Sequence, residues 1–147
     1  MSTLGTEIAD RAAAESPLWR ASLRAEPAWE PVFSPLAEER FGLALETIYE
    51  GYLLHYGVSR LFAAADRDEA LLLGDALYAQ GLVDLAGLGE VEPVAALAEL
   101  IASCAHRRGE GADGDGEAWA ETAASLGGRC DAAARERALA THARLLG

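Results

Sequence analysis

Between Arg67 and Ala86 the chain places Leu71, Leu72, Leu73, Leu77, Tyr78, Leu82, Val83 and Leu85 over most of a helical wheel. A helix that is apolar on nearly every side has to be surrounded by other elements. This feature predicts an all-α, compact array of helices around a central apolar helix. Asp66 followed by Glu69 forms a capping box that opens it. Asp75 is out of place: the wheel sets it between Leu71, Ala79 and Leu82, inside the apolar surface. A carboxylate there must be paired, hydrogen-bonded or neutralised. It is either a structural acid held by an arginine or a backbone donor, or a ligand-facing group lining a cavity. Gly74 beside it would let a second helix approach closely.

The rest of the sequence agrees with an all-helical reading. Alternating runs of β-branched and aromatic residues are missing. A first helix is expected over about Thr6–Glu15. Pro17, Pro27, Pro31 and Pro35 then interrupt helix formation. They define a strap whose Trp19, Trp29 and Phe33 either plug the core or dock a partner. Ser34 and Pro35 should start the next helix, with a hydroxyl N-cap and proline at the first position. It runs to about Tyr56 with Phe41, Leu45, Ile48, Tyr52 and Tyr56 as its apolar stripe. Further helices are expected over about Pro93–Arg108, Glu117–Leu126 and Asp131–Leu146, with a flexible acidic loop, GEGADGDG, before the second of these. The expectation is five to six helices in one domain, 1–147. Residues 1–34 would be the N-terminal helix and strap, and 35–147 the helical core. A chain of 147 residues can bury a core without disulfides or structural metals.

Charge narrows the partners. The formal net charge is -12, and all twelve basic residues are arginine. Such a field repels phosphate backbones and anionic headgroups, which argues against nucleic acid and membrane surfaces. No stretch reaches the roughly 18 apolar residues of a membrane span. MSTLGTEIAD carries no secretory pattern, and the two cysteines, Cys104 and Cys130, suit a reducing cytoplasm. A cytoplasmic location is expected.

The candidate chemistry is sparse. Glu46 and Glu50 lie four residues apart on one helical face. They are weak candidates for a divalent cation, although their position opposite the Phe41/Tyr52 stripe predicts a solvated acidic face. His55 sits at the edge of that stripe and reads as a half-buried histidine. His106 and Glu110 are separated by Gly109, and His142 reads as part of a surface helix. Asp113, Asp115 and Glu117 begin like a calcium loop, but the positions that need Gly and Glu hold Ala118 and Ala124. No nucleophile elbow, phosphate loop, dinucleotide fingerprint or Cys-x-x-Cys occurs. Glu-x-x-His is absent too, which argues against a carboxylate-bridged di-iron centre. Cys104 reads as a small core hydrophobe, and Cys130 lies near a helix start without a base. No cofactor is expected.

The run Ala70–Leu82, ALLLGDALYAQGL, resembles the Gly-Asp helix of trans-polyprenyl diphosphate synthases. That resemblance implies an all-helical fold with an apolar cavity between helices. The family's aspartate-rich, magnesium-binding motif should come before this helix. Here LETIYEGYLLHY stands in its place, and the family's Arg-Arg-Gly is also missing, so no ligands for the metal of diphosphate chemistry are present. The resemblance therefore implies a non-catalytic relative, such as the small helical subunit of a two-component synthase. Two expectations follow. The first is a non-catalytic accessory or protein-interaction domain whose partner is another protein or a second copy. The alternative is a small apolar- or prenyl-ligand-binding protein or enzyme, with a cavity near Asp75, Tyr78, His55 and Tyr52.

Overall fold

A computed structural model of the chain describes residues 3–128 and 131–147. The sequence reading of Cys130 falls outside them. The helices are α1 (Thr3–Glu15), α2 (Pro17–Ala21), α3 (Gly42–Tyr56), α4 (Arg67–Gly87), α5 (Val91–Glu110), α6 (Asp115–Ala124) and α7 (Ala132–Leu145), with 3-10 turns at Ser34–Leu36 and Glu39–Phe41. The all-α class holds, with seven α-helices among the described residues where five or six were expected. None of these helices is long and apolar enough to cross a membrane.

The centre of the array is α3, where the sequence pointed to α4. Twelve of the fifteen residues of α3 are buried, whereas α4 buries only Leu73, Gly74, Leu77, Gly81 and Leu85. Leu73, Leu77, Gly81 and Leu85 form a ridge with i, i+4 spacing that packs on α3, with Gly74 beside it. Glycine makes the close crossing possible. A methyl group on Gly51 would lie 2.8 Å from the Gly74 carbonyl oxygen, and one on Gly74 would lie 2.8 Å from His55 Cδ2. Asp66 caps α4 as its sequence predicts, its carboxylate accepting from the Glu69 N–H at 2.9 Å.

The helix expected from Ser34 is broken before α3 begins. Ala37 is extended, and the Glu38 N–H leaves the helical path to bond the Leu126 carbonyl at 3.3 Å. The strap does plug the core. Phe33 is fully buried, stacks on Trp119 at 5.5 Å and meets Tyr49 edge-on at 5.2 Å. Such geometry adds to simple area burial.

What fastens the strap corrects the reading of Glu46 and Glu50. Both carboxylates are fully buried, with the Arg60 guanidinium between them. Arg60 Nη1 donates to Glu46 Oε1 at 2.7 Å, and Nε donates to Glu50 Oε1 at 2.6 Å. Nη1 also reaches the Glu30 carbonyl at 2.7 Å. Glu46 Oε2 accepts the backbone N–H groups of Val32 and Ser34, each at 2.9 Å, and Ser59 Oγ donates to Glu50 Oε2 at 2.6 Å. The Trp29 ring covers the guanidinium at 4.1 Å. Burial alone would favour an uncharged Arg60, but the two carboxylates outweigh it and push its pKa up. The acids are not solvated because the strap and the α3–α4 connection lie over that face of α3. Arg60 fills the place between them that a cation would need.

Removing one partner of a buried charge set strands the rest. Arg60→Met should therefore lower unfolding stability by about 3–5 kcal/mol, measured by urea denaturation followed by circular dichroism.

Candidate functional site

The four residues read as a ligand site divide between two places. His55 Nε2 donates to Asp75 Oδ1 at 2.9 Å, and the His55 ring stacks on Tyr78 with centroids 5.1 Å apart and planes within 8°. Asp75 is not inside an apolar surface: its side chain is 70% exposed. It lies off the Leu73/Leu77/Gly81/Leu85 ridge that meets α3, at the solvent edge of the α3–α4 contact. The His55–Tyr78 stack, with Gly74 pressed against His55, occupies the space where a cavity was expected. Tyr78 is partly buried, which raises its phenol pKa.

Tyr52 faces a different cluster. Its hydroxyl donates to Asp115 Oδ2 at 2.7 Å. Arg108 Nε donates to the same oxygen at 2.9 Å, and Arg107 Nε donates to Asp115 Oδ1, also at 2.9 Å. Arg108 Nη2 closes the set on the Tyr52 hydroxyl at 2.9 Å. Burial would raise the Asp115 pKa, but Tyr52 and the two arginines hold it below the usual carboxylate range. The GEGADGDG segment is thus not a free loop. α5 continues to Glu110, Gly111 ends it in the left-handed region at φ 67°, and Asp115 opens α6. Arginines at the end of one helix and an aspartate at the start of the next also suit both helix dipoles. The interaction joins α5 to α6.

His142 lies in the core, where a surface position was expected. Its Nδ1 pairs with the Tyr49 hydroxyl at 2.8 Å, and burial lowers its pKa. Cys104 is buried, its thiol pushed up to about 12 by burial, which suits a core hydrophobe rather than a nucleophile. An open cavity of about 480 Å³ borders this region, lined in part by Arg108, Asp115, Glu117, Leu139 and His142. Among the described residues, no group of three or more His, Cys, Asp or Glu side chains could hold a metal ion.

The outer side of α4 carries exposed apolar residues. Leu72, Ala76, Ala79, Val83 and Ala86 are all exposed, Leu72 at 61% and Val83 at 66%. Their spacing alternates four and three residues, the seam of a helix that packs along another helix. Leu88 and Val91 are also exposed, in the turn to α5 and at its start. The sequence signal was present, since α4 is apolar on both sides. One side is spent on α3 and the other is open. Asp115, His142 and Arg60 carried no comparable signal, because their partners are brought to them by the fold or by the α5–α6 turn. Comparison of the chain with protein-family models, curated proteins and solved structures finds no match.

The buried histidine gives a pH dependence with a definite sign. The unfolded chain takes up a proton at His142 near its ordinary value of 6.5, and the folded chain resists it. Stability therefore falls as pH drops through that range. Asp115 adds a second loss only below its ordinary value of 3.8. The melting temperature should fall between about pH 7 and pH 5, and His142→Phe should flatten that slope, as read by thermal melts across the range.

Proposed function

We propose that this chain is a non-catalytic accessory domain that works by docking another protein on the outer side of α4. The observation that carries this reading is the heptad-spaced row Leu72, Ala76, Ala79, Val83 and Ala86, left exposed on a helix whose opposite ridge packs on α3. Exposed apolar residues in a continuous row are a feature of interaction surfaces. The polar clusters support it from the other side. Glu46, Glu50 and Asp115 spend their oxygens on arginines, hydroxyls and backbone N–H groups, so these acids are committed to the fold.

On this reading the protein is cytoplasmic, and its acidic surface keeps it from nucleic acid and anionic membranes. The Gly-Asp helix resemblance suggests what kind of partner to look for: a prenyl-synthase-like enzyme for which this chain would be a regulatory subunit. The competing reading, an apolar- or prenyl-ligand site around Asp75, has less support, because His55 and Tyr78 stack across the space it would need.

A photo-cross-linking residue at position 83, with one at Glu136 on α7 as control, tests the proposal in cells. A discrete protein adduct is expected from position 83 and not from position 136. Leu72→Glu should cut its yield at least about tenfold while leaving stability within about 0.5 kcal/mol. Equal adducts from both positions, or none from either, would contradict it.

A further inference from the structure

We infer that the partner covers the outer side of α4 with a single amphipathic helix whose flanks are basic. This rests on the docking reading above and adds the partner's shape and charge.

Shape comes from the row itself. From Leu72 to Ala86 it extends about 21 Å along the helix axis at 1.5 Å per residue, which matches one helix laid lengthwise. Larger side chains, Leu72 and Val83, stand on either side of a shallow stretch at Ala76 and Ala79. A partner helix can approach closest over the alanines and seat a bulky side chain there, as knobs enter holes.

Charge comes from the surroundings. Asp68 and Asp75 are the exposed acids of α4, Asp75 staying open to solvent although its Oδ1 bonds His55, and Arg67 is its one exposed base. Asp84 is already satisfied by Arg11 at 2.9 Å. The first turn of α4 carries Asp68 and Glu69, and its last turn carries no base, so the partial negative charge of its C-terminus is not neutralised within the helix. Together with the net charge of -12, these features favour arginine or lysine beside the partner's apolar seam. A second copy of this chain would bring the same acids to the interface, and like charges across an interface are costly.

Two synthetic three-heptad peptides test the inference, both with leucine at the seam, one flanked by arginine and the other by glutamate. Binding to the full chain is followed by fluorescence anisotropy at about 0.15 M salt. Saturable binding of the arginine-flanked peptide alone is expected, weakened at least tenfold by Val83→Glu. That substitution adds negative charge, so purely electrostatic adsorption would strengthen and expose itself. Equal binding of the glutamate-flanked peptide would overturn the inference. So would undiminished binding to Val83→Glu, or a wild-type dimer in sedimentation that Val83→Glu dissociates. If neither peptide binds, the basic-helix inference fails; a cross-link still forming at position 83 would then leave the docking reading standing.

Discussion

One guanidinium, that of Arg60, determines how the N-terminal third of this chain meets the rest. It is buried with two carboxylates, and all three side chains are closed off from solvent. Burying such a set costs several kcal/mol per ion unless every lone pair and proton finds a partner. Here the backbone N–H groups of Val32 and Ser34, the Ser59 hydroxyl and the Arg60 N–H supply the remaining donors. Because two donors come from the strap and two from the α3–α4 connection, the cluster is satisfied only when both segments lie on α3. The charge set therefore specifies an arrangement, which a purely apolar contact would do less strictly.

The rest of the packing builds outward from that arrangement. With the strap in place, Phe33 enters the aromatic group of Tyr49, Tyr52 and Trp119, and His142 completes it through Tyr49. Tyr52 then presents its hydroxyl to Asp115, which joins the end of α5 to the start of α6. On the other side of α3, Gly51, Gly74 and Gly81 bring α4 close by one ridge only. The polar clusters are thus committed to holding the fold, while α4 keeps exposed apolar residues on its outer side.

Local features of the sequence carried most of the helices, the cap of α4 and the strap, but not the helix start expected at Ser34. Asp66 with Glu69 marked the start of α4, and the prolines marked the irregular segment before α3. The helical wheel failed wherever a distant segment decided burial. It placed Glu46 and Glu50 on an outward face of α3, which is correct for an isolated helix. It has no means of knowing that Val32, Ser34 and Arg60 close over that face. It placed Asp75 inside an apolar surface because α4 has two apolar sides, and periodicity does not tell which one is packed. His142 and Asp115 were missed for the same reason: their partners, Tyr49 and the Arg107/Arg108 pair, are brought to them by the fold or by a turn of unusual shape.

The central claim is that the buried Arg60 cluster locks the strap to α3 as part of the global fold. Amide hydrogen exchange at Val32 and Ser34 tests it most directly, because both N–H groups are bonded to Glu46 in an irregular segment that has no helical ladder to protect them. The account predicts that both exchange only on global unfolding, with the same opening free energy as the middle of α3. Exchange at the rate of exposed loop amides, while α3 remains protected, would show that the strap opens on its own and would contradict it.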